Sequence, residues 1–199
     1  MSTPLRVLSV DARGFGRDHA GLARVISAAE PDVVCVHGGP HLLRWRSIGA
    51  ALARRAGLVV VTGGRTAGAN LLLSTLGVDV TAVRDVRFTG GSRFAAPGAA
   101  LAALRLRGTD FVLVSATLAG NPTEQLAQTR ELRAAITTLV PGDLPVIISG
   151  EGADRTGAPS RQSLVENRVV VADRLFVDAR ITLTDATEQD HLVRAELSI

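Results

Sequence analysis

The stretch that decides the fold reads Pro31-Asp32-Val33-Val34-Cys35-Val36-His37-Gly38-Gly39-Pro40. Its run of consecutive apolar residues, bounded by a proline and by a Gly-Gly-Pro turn, is typical of a strand that is buried on both faces. The strand leads into a turn of the kind that often carries functional groups. This turn, however, contains no carboxylate.

Length and composition predict one α/β domain over residues 1–199. The chain is 46% hydrophobic and 21% charged, which is enough for one substantial core and too little for two ordinary domains. Its apolar stretches are interrupted well before the roughly 18 residues that a spanning helix needs, and the N-terminus lacks a signal pattern. We therefore expect a cytoplasmic protein without a membrane span. The single cysteine, Cys35, excludes an internal disulfide, and its apolar strand predicts a buried, unreactive thiol.

The charge of the chain gives only weak support for nucleic-acid binding. The net charge is +3 and the pI is about 10.7, but all basic residues are arginine, and acidic residues are interspersed among them. The high pI reflects the high pKa of guanidinium more than a large positive field. The sequence also has no basic run of the kind found in nucleic-acid-binding tails.

The order of predicted elements favours two sheets packed face to face with helices outside. Strands are predicted at 5–10, 32–36 and 58–62. A helix capped by Asp18 is predicted between the first two strands. A second helix, from His41 to about Arg55, is predicted between the second and third strands, and Trp45 lies on its apolar face, which is expected in the core. A strand meander follows from Asn70 to Val114. The later elements are a helix that begins at the cap Asn121 and ends near Leu139, a strand at 144–149, a loop at 150–159, and strands at 174–183 and 192–197.

Two common phosphate-binding motifs are excluded. The glycines between Gly63 and Gly68 do not have the spacing of a dinucleotide fingerprint. The chain has no lysine and therefore cannot contain a P-loop.

Seven blocks of the sequence, taken in order, carry a resemblance to one family. They are LRVLSVDARG (5–14), DVVCVHGGP (32–40), AGANLLLS (67–74), TDFVLVSATLAGNP (109–122), LPVIISGEGAD (144–154), ADRLFV (172–177) and QDHLV (189–193). Together they resemble the endonuclease/exonuclease/phosphatase family of metal-dependent phosphoesterases, which includes DNase-I-like nucleases and sphingomyelinases. The resemblance implies an α/β/β/α sandwich of four layers, with two packed mixed sheets flanked by helices.

The resemblance implies that part of the family's catalytic site is retained. His191 matches the family's general base, and Asp173 matches the carboxylate that orients it. Asp190 matches a carboxylate that is available to a metal or to water. These three residues are the predicted catalytic group, whether working or vestigial.

Other positions of the family's site are changed. Gly38 stands where the metal-binding Glu is expected, and Asp11 stands where an Asn of the metal shell is expected. Glu151 replaces the Asp that activates water. Ala153 and Thr117 replace an Asn and a His that contact phosphoryl oxygens. Loss of one preorganised donor typically costs on the order of a hundredfold in rate, so several losses together indicate a degenerate site.

Three functional hypotheses remain open. The first is a catalytically degenerate protein that acts by binding or as a scaffold, with no cofactor and with a protein or a phosphate-containing ligand as partner. The second is a divergent phosphoesterase that holds Mg²⁺ or Mn²⁺ with Asp11, Glu151 and Asp190. The third is a phosphate-binding or nucleic-acid-binding module without catalysis. In this third hypothesis, the residues that would bind phosphate are the loop arginines Arg13, Arg17, Arg65 and Arg155. His37, at a strand end, is interpreted as a solvated loop group.

Overall fold

A computed structural model describes residues 2–16, 18–39, 44–90, 97–140, 142–152, 168–172, 175–189 and 191–199, with the backbone alone at 151–152 and 168–172. Twelve strands and three α-helices lie within these ranges. The helices are α1 (His19–Ala28), α2 (Trp45–Arg55) and α3 (Pro122–Leu139). Of the described helices, none is both long and apolar enough to cross a membrane.

The first sheet has six strands in the order β11-β12-β1-β2-β4-β3. Strands β1 and β2 are parallel, and the other pairs are antiparallel, so the sheet is mixed. Its strands are β1 (Pro4–Asp11), β2 (Val33–His37), β3 (Val59–Gly64), β4 (Asn70–Ser74), β11 (Thr182–Gln189) and β12 (Leu192–Ser198).

The second sheet also has six strands, in the order β5-β6-β7-β8-β10-β9. It is mixed as well, because β7 and β8 are parallel within an otherwise antiparallel sheet. Its strands are β5 (Val78–Arg87), β6 (Gly98–Leu106), β7 (Thr109–Leu118), β8 (Val146–Gly152), β9 (Arg168–Ala172) and β10 (Leu175–Asp178).

Three apolar clusters fix the order of the layers. The central cluster lies between the sheets and includes Val7, Leu72 and Phe111, all fully or almost fully buried. A second cluster packs α1 and α2 on the outer face of the first sheet, and a third packs α3 on the outer face of the second sheet. The arrangement is therefore helix, sheet, sheet, helix, which confirms the predicted α/β/β/α sandwich with two mixed sheets.

The helix starts follow the predicted capping signals. The Asp18 side chain accepts a hydrogen bond from the Gly21 amide at 2.7 Å. At α3, the Asn121 side chain accepts from the Glu124 amide at 3.0 Å, and the Glu124 carboxylate accepts from the Asn121 amide at 2.9 Å. This reciprocal pair is a capping box.

The meander predicted from Asn70 to Val114 is wrong in part. Strands β5, β6 and β7 do form one in the second sheet, but β4 lies in the first sheet between β2 and β3. All five residues of β4 are buried, as expected for a strand in the middle of a covered sheet. Contiguity in sequence did not reveal this change of sheet.

Three further predictions are corrected. The single strand predicted at 174–183 is two strands, because the chain turns after Asp178 and β11 joins the other sheet. Strand β8 continues to Gly152, into the predicted loop. Trp45 is half-buried and lies at the helix start, not in the core.

Candidate functional site

Polar residues at or within three residues of the ends of several strands lie together near one end of the sandwich. In the first sheet, Asp11 is the Cα partner of His37. In the second sheet, Ser115 pairs with Ser149 on the neighbouring parallel strand. Asn70 begins β4 and bonds residues of both sheets. The strand register therefore gathers chemically versatile side chains from residues far apart in sequence.

Asp11 and Arg13 form a forked ion pair at the end of β1. Asp11 Oδ1 accepts from Arg13 Nε at 2.9 Å and from the Arg13 amide at 3.0 Å, and Asp11 Oδ2 accepts from Arg13 Nη2 at 3.1 Å. The Asp11 side chain is only 9% exposed, whereas that of Arg13 is 55% exposed. A bidentate pair of this kind is both stronger and more directional than a single contact. It directs both carboxylate oxygens of Asp11 towards the guanidinium.

The stem of Arg13 lies over Gly38. A Cβ placed on Gly38 would come within 2.5 Å of Arg13 Cγ and 2.9 Å of Cδ. Gly38 also has φ +60°, in the left-handed region that favours glycine. The space that a side chain at position 38 would enter is thus taken by the stem of an arginine.

His37 is fully buried, so its interpretation as a solvated loop group was wrong. Its Nδ1 lies 3.0 Å from Asn70 Oδ1, and its Nε2 lies 2.7 Å from Ser149 Oγ. Ser149 Oγ is in turn 2.6 Å from Ser9 Oγ. The imidazole satisfies its polar atoms inside the sandwich, which removes the cost of burying it.

The orientation of Asn70 fixes the tautomer of His37. Asn70 Nδ2 donates to the carbonyls of Ala67 at 2.8 Å and Gly98 at 3.0 Å, so its Oδ1 faces the imidazole. His37 Nδ1 must therefore carry the proton, and Nε2 accepts from the Ser149 hydroxyl. The hydrogen-bond network thus assigns the protons of the ring.

Ser149, His37 and Asn70 form a hydrogen-bonded series of the same residue types as a catalytic nucleophile, its base and the group that orients the base. Ser149 is nevertheless completely buried, and its hydroxyl also contacts Ser9. A buried hydroxyl enclosed in this way has no path to a substrate. The network is therefore a structural link between the sheets. Its sequence signal was the set of isolated polar residues inside apolar strands: Ser9, His37, Asn70, Ser115 and Ser149.

Thr117, which the resemblance aligns with a phosphoryl-contacting His, also belongs to this link. Its hydroxyl donates to Asn70 Oδ1 at 3.0 Å and is thus directed inwards. Glu151 is the Cα partner of Thr117, and its backbone places it at the same edge.

His191 begins the final turn into β12 and is exposed. Its carbonyl accepts from the Asp11 amide at 2.8 Å, and its ring lies against Gly14. Asp173 and Asp190, the other two predicted catalytic residues, lie outside the described residues, as do Ala153, Arg17 and Arg155. The predicted catalytic group therefore remains a prediction, as does the metal group of Asp11, Glu151 and Asp190.

The described residues do not suit a divalent cation at the position that the resemblance implies. Gly38 offers no oxygen ligand from its side chain, and a guanidinium faces both oxygens of Asp11. Mg²⁺ needs oxygen ligands in an octahedron, and a neighbouring guanidinium opposes its charge. In the part of the chain that is described, no three His, Cys, Asp or Glu residues are grouped for metal binding.

Solved structures share this architecture. The chain is similar to an endonuclease/exonuclease/phosphatase family protein from Bacteroides thetaiotaomicron, with a TM-score of 0.74 and 14% identity, over 100% of this chain and 99% of that chain. It is also similar to a mannosyl-6-phosphatase from the same species (TM-score 0.72, 14% identity, 97% and 99% covered). A third similar structure is D. rerio TDP2 complexed with a single-strand DNA product (TM-score 0.69, 13% identity, 98% and 99% covered).

These similarities establish the fold. No family model matches the sequence, and no curated protein matches it.

Proposed function

We propose, from the endonuclease/exonuclease/phosphatase fold that this chain has, that the protein is catalytically degenerate and acts by binding instead of hydrolysis. The observation that carries the proposal is the position of Arg13, whose stem covers Gly38 and whose guanidinium pairs with Asp11. A monovalent side-chain cation stands beside the carboxylate that would otherwise face a metal. We expect residues 1–199 to act as one domain, in the cytoplasm and without a cofactor.

The surroundings of Thr117 support the same proposal. A donor to a phosphoryl oxygen must point into the cleft, but the Thr117 hydroxyl donates to Asn70 Oδ1 inside the sandwich. Ala153 has no polar side chain to replace the family's Asn. Each missing donor removes transition-state stabilisation worth on the order of a hundredfold in rate. With the metal ligand also replaced, we expect little hydrolysis to remain.

The placement of His191 favours one alternative, a divergent phosphoesterase. The His191 carbonyl is held by the Asp11 amide, and its side chain is exposed at the edge where the polar strand ends meet. If Asp173 orients its ring and Asp190 and Glu151 join Asp11, the site would regain a general base and a group of carboxylates. Mg²⁺ or Mn²⁺ bound there would supply charge neutralisation for phosphoester hydrolysis. This alternative requires the Arg13 guanidinium to leave Asp11.

Hydrolysis assays distinguish the two functions. The purified protein is incubated with Mn²⁺ or Mg²⁺ and with bis-p-nitrophenyl phosphate, p-nitrophenyl phosphate and single-stranded DNA. We expect the turnover of the wild type to equal that of His191→Ala in every assay. Metal-dependent turnover that is lost in His191→Ala would overturn the proposed function in favour of the divergent phosphoesterase. Arg24→Ala, an exposed change on α1, controls for the effect of losing any polar surface side chain.

A further inference from the structure

The single tryptophan of the chain is held beside the candidate site by a glycine. The Trp45 ring lies against Gly64, and a Cβ at Gly64 would overlap its six-membered ring. Gly64 has φ +95°, which other residues rarely adopt. Gly64 is also the Cα partner of Asn70, so Trp45 borders the polar network described above. The local backbone thus fixes an aromatic ring near the site.

An arginine lies on this tryptophan. The Arg46 guanidinium carbon is 4.8 Å from the centroid of the Trp45 ring, within the range of a cation–π contact. Arg46 is exposed, whereas Trp45 is half-buried. The Trp45 ring therefore supports a guanidinium plane at the surface, and such planes stack on nucleobases.

Three further exposed arginines lie on segments next to this pair. Arg44 precedes Trp45, and Arg65 follows Gly64. Arg87 is the Cα partner of Gly98. A Cβ placed on Gly98 would come within 3 Å of the backbone of Ala67 and Gly68, two and three residues after Arg65. We define the Arg–Trp surface as these five residues: Arg44, Trp45, Arg46, Arg65 and Arg87.

The arginines of the Arg–Trp surface differ from several others in the chain. Arg6, Arg105 and Arg180 each form ion pairs with carboxylates. None of the four arginines of the surface forms an ion pair within the described ranges. Helix α2 has no acidic residue, and the nearby Asp85 accepts hydrogen bonds from the hydroxyls of Thr62 and Thr66. The surface therefore presents positive charge that no described carboxylate contacts.

We propose that the Arg–Trp surface binds single-stranded nucleic acid. Arginines contact the phosphates, and the Arg46 plane supported by Trp45 stacks on a base. A duplex would present its phosphates but not its base faces, so the stacking pair favours a single strand. The inference rests on the proposed function, because it names the partner class of a protein that binds without hydrolysis.

The chain provides its own reporter for this proposal. It has one tryptophan and no tyrosine, so intrinsic fluorescence observes Trp45 alone. An oligothymidine of about 12 nucleotides, long enough for one site of this type, is titrated into the metal-free protein. We expect saturable quenching, and a binding constant that falls with salt at a slope of about −0.7 per phosphate contacted.

Substitutions locate the site. Arg46→Ala and Arg65→Ala should each weaken binding by roughly tenfold, within the range known for lost stacking and phosphate contacts. Arg55→Ala is the matched control, because Arg55 is exposed on the same helix at its other end, about 15 Å away. It should leave the dissociation constant within about twofold, since it removes equal charge away from the surface. Circular dichroism checks that each variant is folded.

Heparin serves as a polyanion without bases. We expect heparin to bind more weakly than an oligonucleotide of equal charge. We also expect Arg46→Ala and Arg55→Ala to reduce the affinity for heparin by equal amounts. Absence of oligonucleotide binding at low salt would overturn the proposal, as would equal binding of heparin or equal effects of the two substitutions on the oligonucleotide. If the oligonucleotide does not bind, the proposed lack of hydrolysis is unaffected. Metal-dependent cleavage that requires His191 would instead overturn the proposed function and leave the surface in place.

Discussion

The side chain of Arg13 crosses the backbone of Gly38, with Arg13 Cγ 2.5 Å and Cδ 2.9 Å from the position of a Cβ on Gly38. The same arginine holds both carboxylate oxygens of Asp11. The absence of a side chain at position 38 and the pairing at Asp11 are therefore one structural feature. A residue other than glycine at position 38 would displace the stem of Arg13.

We predict that Gly38→Glu destabilises the protein by about 2 kcal/mol or more, measured by urea unfolding. Part of the cost is strain at φ +60°, which amounts to about 1–3 kcal/mol for a residue other than glycine. The remainder comes from the contact with Arg13. In an Arg13→Ala background, Gly38→Glu should cost less by about 1 kcal/mol, since residues in contact are energetically coupled.

Gly57→Glu is the control for strain. Gly57 has φ +74°, and among the described residues, apart from its chain neighbours, no atom lies within 4 Å of a Cβ placed on it. Its cost should be strain alone and should not change with Arg13→Ala. If Arg13→Ala reduced the cost of Gly38→Glu and the cost of Gly57→Glu by the same amount, the result would contradict a specific contact between Arg13 and position 38.

We predict that Asn70→Ala lowers the free energy of unfolding by about 2–4 kcal/mol. It removes the acceptor for His37 and Thr117 and leaves the carbonyls of Ala67 and Gly98 without the Asn70 amide. Asn121→Ala, which removes the cap of α3, should cost only about 1 kcal/mol. Urea unfolding of both variants provides the comparison. A cost for Asn70→Ala no greater than that for Asn121→Ala would show that the buried network contributes little.

We predict that alkaline pH destabilises the protein through Cys35. Complete burial raises the pKa of the Cys35 thiol well above its usual range, although a hydrogen bond with Ser149 partly opposes this. Above about pH 9, the unfolded chain loses the thiol proton and the folded chain keeps it. The free energy of unfolding should then fall by about 1.4 kcal/mol per pH unit.

The composition makes this test unusually clean. The chain has no lysine and no tyrosine, so Cys35 is its only side chain whose ordinary pKa lies between those of histidine and arginine. Urea unfolding is compared at pH 8, 9 and 10, each at roughly the same ionic strength. Cys35→Ala should abolish the alkaline slope. A slope that persists in Cys35→Ala would contradict the assignment.

Local signals in the sequence predicted much of the fold. The run before His37 is the buried strand β2, and the caps Asp18 and Asn121 start α1 and α3. These features depend on residues within a few positions of one another. The order of the sequence blocks predicted the layered sandwich, which the solved structures confirm.

The sequence did not reveal contacts between distant residues. The environment of His37 depends on Asn70 and Ser149, which lie on two other strands, so its burial was missed. The position of Arg13 over Gly38 joins residues 25 positions apart through the pairing of β1 with β2. From the sequence alone, a polar residue at a strand end is expected to be exposed to solvent, because the residues of the opposing sheet that cover it are not known.

Calorimetric titration of Mn²⁺ into the wild-type protein at neutral pH most directly tests the central proposal, that the Arg13 guanidinium stands in place of a metal ion. The claim predicts no saturable heat up to about 1 mM, since the described site presents a guanidinium where a hard cation needs oxygen ligands. Saturable binding below that concentration, lost in Asp11→Ala, would contradict it.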